Sequence, residues 1–135
     1  MAVRVAARVL LAGRATGPLK VLGAPISFWG GVAPETGRIV LPGHPDLGHS
    51  VAGTVLALPG TVGSSSASAV LLELLYRGLG PAALVLAAPD AILALGAVVA
   101  REMGYATIPV VQCPLDALPQ EGTATIAEDG VLTVD

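Results

Sequence analysis

Cysteine is nearly missing from this chain: Cys113 is the only one in 135 residues. One thiol can form no internal disulfide, and no multi-cysteine metal site can be built from this chain. Lysine is as scarce, with Lys20 alone, and Lys and Arg together number 7 against 10 Asp and Glu, for a formal net charge of −3. With no basic run to neutralise a phosphate backbone, nucleic acid is excluded as an expected partner. Charged residues of both signs make up 13% of the chain and hydrophobic residues 53%. So few charges leave little to cover the outside of a small domain. An exposed apolar patch is expected, of the kind that marks a partner interface; a tightly packed, Ala-rich monomer is the alternative.

A membrane-spanning run is also lacking. The best candidate, residues 82–100, carries Pro89 and Asp90 in its middle, where a transmembrane helix would bear a charge at large cost. It reads better as a buried strand followed by a helix. Near the start, Arg4 and Arg8 interrupt a short apolar run that passes into Gly13, Arg14 and Thr16, so no signal peptide is read and a cytoplasmic location is expected.

What is present is punctuation and pattern. The 17 Gly and 11 Pro are spread along the chain, and the length suits one domain, 1–135. The first half is mostly β: residues 3–11, 38–41 and 51–58 are β-prone runs separated by Gly/Pro turns. After residue 64 the period changes. Ser65 or Ser66 can cap a helix that places Val70, Leu71, Leu74 and Leu75 on one face, pairs Glu73 with Arg77, and ends at Gly78. Residues 83–87 and 108–111 read as buried strands flanking a helix over 90–103 closed by Gly104, which predicts a parallel βαβ pairing. The tail, with Asp129-Gly130 between residues 124–126 and 131–134, predicts a hairpin. A β-rich N-terminal half, a βαβ layer and a terminal hairpin make an α/β chain of three-layer β/β/α type.

Three stretches carry chemistry. In Leu58-Pro59-Gly60-Thr61-Val62-Gly63-Ser64-Ser65-Ser66-Ala67-Ser68, hydroxyls sit where a helix N-terminus offers free N–H groups. Such a place suits an anionic small molecule and helps a serine lose its proton. Ordinary capping by the serines reads equally well from the residues alone. A nucleotide-binding P-loop is excluded, because no Lys follows the glycine at the required position. The second stretch, Pro25-Ile26-Ser27-Phe28-Trp29-Gly30-Gly31-Val32, holds the only Phe and the only Trp. Either it is a rigid loop touching a partner or ligand, or it packs its aromatics back on the core. The third, residues 41–50, holds both histidines, His44 and His49, with Asp46 between them. Its Pro/Gly-rich turn gives no ligand spacing, so no metal is assigned, and a substrate contact or a solvent-facing turn both fit. Cys113 reads as a small buried hydrophobe.

These stretches, in this order, resemble the aconitase X small-subunit family, whose members include cis-3-hydroxy-L-proline dehydratase and mevalonate 5-phosphate dehydratase. The landmarks are residues 26–32 with Pro34-Glu35-Thr36-Gly37-Arg38, then His44-Pro45, residues 63–72, Pro81-Ala82-Ala83, Pro89-Asp90 and Ile108-Pro109-Val110-Val111. The resemblance implies a swivelling domain like aconitase domain 4, closing over a large catalytic subunit in a heterodimer. That partner would hold an iron or iron–sulfur centre, and this chain none. It implies a hydro-lyase acting on a small hydroxy acid, cis-3-hydroxy-L-proline ahead of mevalonate 5-phosphate. Ser64 becomes the proton acceptor, Gly63, Ser65, Ser66 and His44 the substrate contacts, and Ser27, Phe28, Trp29, Gly30 and Gly31 the interface loop. The chain departs from the aconitase-like Gly-Ser-Ser-Arg loop by placing Ser66 where that loop has arginine. From another class, a non-catalytic small-molecule binding module of the same fold also fits.

Overall fold

The computed structural model describes residues 2–61 and 66–135. Four strands form its centre: β3 (Ala15–Val21), β6 (Val55–Leu58), β7 (Ala83–Leu86) and β8 (Val110–Gln112) lie side by side and parallel. Every residue of β6 and β7 is buried. Strands covered on both faces must be apolar at every position, which explains the unbroken runs Val55-Leu56-Ala57-Leu58 and Ala83-Leu84-Val85-Leu86.

The pleat sends alternate residues into two separate cores. Leu56, Leu58, Leu84, Leu86 and Val110 point to one side, where they meet Leu71, Leu74 and Leu75 of α2 (Ala67–Arg77) and Leu93, Ala97 and Ala100 of α3 (Ala91–Glu102). Val55, Ala57, Ala83, Val85 and Val111 point to the other, where they meet Ala124 and Ile126 of β9 (Thr123–Ile126) and Leu132 and Val134 of β10 (Val131–Val134). Helix layer, central sheet and antiparallel layer are therefore stacked as β/β/α. Each fully buried leucine contributes about 1.5–3 kcal/mol relative to an exposed one.

The N-terminal run predicted as a single strand is two. β1 (Val3–Ala6) pairs with β10 and β2 (Arg8–Leu11) pairs with β8, at opposite margins of an eight-stranded order β1-β10-β9-β3-β6-β7-β8-β2. Ala7 is the pivot between them, its N–H bonded to Gly130 O. A Cβ on Gly130 would lie 2.5 Å from Ala7 O, and its φ of 90° belongs to the left-handed region, so glycine is required where the hairpin tip meets the pivot. The sheet thus curls until its two margins are joined by consecutive residues.

The runs 38–41 and 51–58 are strand only over Arg38–Ile39 and Val55–Leu58, whereas the two long helices follow expectation. Gly78, at φ 73°, ends α2 with its N–H on the carbonyls of Leu74 and Leu75, and Glu73 meets Arg77 at 3.4 Å. Asp90 caps α3 by accepting from Leu93 N–H at 3.0 Å. Between β3 and β6, the chain makes one irregular turn, α1 (Phe28–Gly31), and a two-stranded ribbon of β4 (Val32–Ala33) and β5 (Arg38–Ile39). α3 leaves Ile92, Leu95 and Val98 on the outside, and a cavity of about 290 Å³ lined by Leu10, Pro89, Ala94, Leu95 and Val98 opens beside them. This is the exposed apolar surface expected from composition. Among the described residues no helix is long and apolar enough to cross a membrane.

Candidate functional site

The stretch between β6 and α2 leaves the carboxyl end of a central parallel strand, the edge at which open α/β sheets commonly present their ligands. Gly63, Ser64 and Ser65 lie outside the described residues; the two limbs that hold them do not. On the entering limb, Thr61 forms a parallel bridge with Ile26 and donates its hydroxyl to the Asp90 carboxylate. Asp90 thus serves two elements at once, capping α3 and tying down the loop entry. On the exit limb Ser66 stands at the N-cap position of α2.

The Ser27–Gly31 segment lies beside these limbs, and its residues divide. Phe28 is 1% exposed and packs in the core beneath the helices, whereas Trp29 is 60% exposed. The aromatic pair read together from sequence therefore splits, because Trp29 is extended (φ −71°, ψ 117°) and Gly30, at φ 78°, turns the chain back. Gly31 is buried with reason: a Cβ there would stand 2.7 Å from Ile26 Cγ1. Trp29, Pro34, Ser66, Ala69, Val70 and Glu73 line a cavity of about 260 Å³ at the start of α2. Ser27 Oγ is buried, and among the described residues it has no hydrogen-bond partner.

His44 is placed differently from a free ligand. Its side chain is 1% exposed, its Nδ1 accepts the Asp46 N–H at 3.0 Å, and its Nε2 lies 3.0 Å from Ala24 O. A backbone donor on Nδ1 assigns the proton to Nε2, so both ring nitrogens are satisfied inside the chain. Any contact with a ligand would have to break one of these bonds. His44 clamps the 41–48 turn to the segment after β3. Beside it Asp46 accepts from Lys20 Nζ at 2.8 Å and from Gly23 N–H at 2.8 Å. Burial pushes the Asp46 carboxyl up, but the Lys20 and Gly23 hydrogen bonds and the Lys20 charge outweigh it and hold the group below the usual carboxylate range. Sequence reasoning missed this clamp; the one signal for it was Lys20, the lone lysine, on a half-buried strand of the central sheet. His49 is exposed.

Among the described residues no three His, Cys, Asp or Glu side chains converge as a metal site would require. Cys113 is buried between the two sheet layers, where burial pushes its thiol up, and it has no companion ligand. The described residues do not fit an iron centre.

Comparison with known proteins agrees with the fold. Residues 4–135 match the family model described as aconitase X swivel domain. A cis-3-hydroxy-L-proline dehydratase of Pseudomonas aeruginosa is 46% identical over 103 residues, 76% of this chain and 18% of that protein. A protein of the same name from Hypocrea jecorina is 46% identical over 99 residues, 73% of this chain, and here too the match spans less than a fifth of the relative, 17%. The phosphomevalonate dehydratase small subunit of Methanocella arvoryzae is 41% identical over 123 residues, 91% of this chain and 86% of that one. The crystal structure of Thermococcus kodakaraensis aconitase X in its holo-form superposes with a TM-score of 0.87 at 28% identity, over 98% of both chains. With its family model covering the strands, both helices and the limbs around residues 62–65, this chain belongs to the aconitase X swivel-domain family.

Proposed function

We propose that the chain is the swivelling small subunit of an aconitase X-type hydro-lyase, in which Ser64 takes a proton from the carbon next to the one bearing the departing hydroxyl. The observation that carries this reading is the anchoring of Thr61 and Ser66, the described residues on either side of the serine-bearing stretch. Thr61 is fixed by Ile26 and Asp90 after β6, and Ser66 starts α2, so both described limbs that flank the serine-bearing stretch are tied to the scaffold near the carboxyl edge of the sheet. Relatives named dehydratases are 41–46% identical over most of the chain.

Dehydration breaks a C–H and a C–O bond. Deprotonated Ser64 accepts the proton, the C–H electron pair becomes the new double bond, and the hydroxyl leaves. A serine hydroxyl is a base only where donors and a dry environment stabilise its oxyanion, and the N-terminus of α2 together with closure against a larger partner would supply both. Gly63, Ser65 and Ser66 would contact substrate through N–H and hydroxyl groups. Trp29 and the Gly30 turn would present the loop to the partner, a large aconitase X subunit. The iron or iron–sulfur centre implied by the resemblance would belong to that subunit, and no step of this chain's role runs through it.

For the substrate, a carboxylated amino-acid-like molecule fits better than a phosphorylated one. The charged residue lining the cavity beside Ser66 is Glu73, and Lys20 is engaged by Asp46. Phosphate recognition ordinarily recruits Arg or Lys. The high coverage of the Methanocella small subunit favours phosphomevalonate as the second reading. The test is turnover of the chain co-expressed with its large subunit on cis-3-hydroxy-L-proline and mevalonate 5-phosphate. A higher kcat/KM for hydroxyproline is expected, with Ser64→Ala lowering kcat at least about 10²-fold. A preference for the phosphate ester would overturn the substrate choice alone; a fully active Ser64→Ala would overturn the base.

A further inference from the structure

The chain holds one Phe, one Trp and two Tyr, and of these only Phe28 is buried in the core. Trp29, Tyr76 and Tyr105 instead stand along one side of α2. Ser66, Ala69, Glu73 and Tyr76 follow one another at steps of three or four residues, so they share a face of that helix. Two cavities open on this face. One, of about 260 Å³, lies between Trp29 and Ser66, and the other, of about 310 Å³, lies among Tyr76, Met103 and Tyr105. Ala69 and Glu73 line both, so the two are one groove with the Ala69 methyl and the Glu73 carboxyl at its waist. From Ser66 to Tyr76 the helix rises about 15 Å, enough to seat about ten residues of a helix or four to five of an extended segment. Tyr76 is 66% and Met103 54% exposed, and aromatic and Met side chains left open to water in a row are those that interfaces favour. Among the described residues, Glu73 alone brings a charge to the lining. Arg77 meets its Oε2 at 3.4 Å but lines neither cavity.

We propose that this groove is a docking site for an arginine-bearing segment of the large subunit, whose guanidinium stacks on the Tyr76 and Tyr105 rings and pairs with the Glu73 carboxylate. The inference rests on the reading of the chain as a swivelling small subunit and names a surface by which that subunit is held. Charge complementarity selects the occupant. The two tyrosine rings, 5.1 Å apart and tilted by 57°, present electron-rich faces beside a carboxylate, and both attract a cation. A planar guanidinium can stack on a ring while its fork meets the carboxylate, a combination closed to a lysine ammonium. A second copy of this chain fits poorly, because in a two-fold contact through the groove the two Glu73 carboxylates would face each other at its waist. The groove also begins at Trp29, which is read as meeting the large subunit, so one partner covers both ends.

The experiment measures the Kd between the full chain and its purified large subunit by calorimetry at low and high salt, for Tyr76→Ala, Tyr76→Phe, Glu73→Gln, Arg77→Ala and, on the outer face of α3, Leu95→Ala. Tyr76→Ala should weaken binding at least about tenfold, and Tyr76→Phe, which keeps the ring, should recover most of it. Glu73→Gln should weaken binding about threefold to tenfold and flatten its salt dependence. Arg77→Ala should leave Kd unchanged or lower it, because it removes a cation that competes for Glu73. Leu95→Ala should have no effect. Thermal unfolding of each isolated variant shows that it is folded, since every altered side chain lies at the surface. Equal losses in Glu73→Gln and Arg77→Ala would reduce Glu73 to a partner within its own helix and overturn the proposal. So would a normal Kd in Tyr76→Ala, or a homodimer of the isolated chain that Tyr76→Ala disperses in sedimentation. A complex weakened by Leu95→Ala but by no groove variant would move the interface to α3 and leave the small-subunit reading standing, whereas no complex at all would end both.

Discussion

At the scale of single residues, the chain uses its few charges locally. Lys20, Asp46 and His44 lock the 41–48 turn onto the end of β3, and Asp90 locks the entry of residues 62–65 onto α3. The Asp46 carboxyl is lowered in the folded chain, so the stability it contributes is present above its unfolded value of 3.8 and is lost as pH falls through the lower folded value. Thermal unfolding followed from about pH 7 to about pH 3 should therefore show an acid-side loss of Tm that Asp46→Asn lacks. At neutral pH the same variant should be destabilised by about 1–3 kcal/mol, since the lost bonds are charge-assisted and Lys20 keeps only part of its access to water. The residue types of the clamp were visible in the sequence, but not their meeting. The residues alone leave His44 as a substrate contact or part of a solvent-facing turn, and the resemblance chooses the contact; the partners that fill its ring, Ala24 O and Asp46 N–H, are backbone groups that composition does not reveal. Ser27 was legible only as a member of an aromatic loop, because a missing hydrogen bond leaves no mark in a sequence.

Elements were read more fully. The 3.6-residue stripe of α2, its Gly78 stop and the Asp-Gly hairpin are local signals, and each stands where expected. The split of residues 3–11 was not legible, since both halves are β-prone and the pivot at Ala7 is set by a hairpin more than a hundred residues away. The approach of the two helices was likewise hidden inside a predicted helix. A Cβ at Gly96 of α3 would stand 2.5 Å from Ser68 O and 3.1 Å from Leu71 Cβ, so α2 and α3 touch backbone to backbone. Gly96→Ala gains up to about 1 kcal/mol in helix propensity, but separating the helices costs more, and a net destabilisation of about 1–3 kcal/mol is expected from chemical denaturation. Because Ser68 is in the first turn of α2, the same shift should move the limb carrying Ser66 and lower kcat of the assembled enzyme alongside stability.

For the whole molecule, the described residues offer a rigid scaffold and a loop mount but no metal-binding cluster. The isolated chain is expected to show no dehydratase turnover and to retain no stoichiometric iron after incubation with ferrous ion and desalting; metal analysis and an absorbance assay check both, and bound iron would refute a division of labour between two chains. The layered architecture was legible because β6 and β7 are apolar at every position, a pattern that only a strand covered on both faces sustains. The joining of the two sheet margins has a further consequence, in time rather than space. Val3 pairs with Val134 and Ala6 with Val131, across nearly the full length of the chain. On a ribosome, residues 3–6 must wait exposed until the C-terminal hairpin emerges, while the β6–α2–β7–α3–β8 unit can already pair with itself. β1 is thus made well before its partner strand, and the margin of the sheet closes only after the β9–β10 hairpin has followed the central unit.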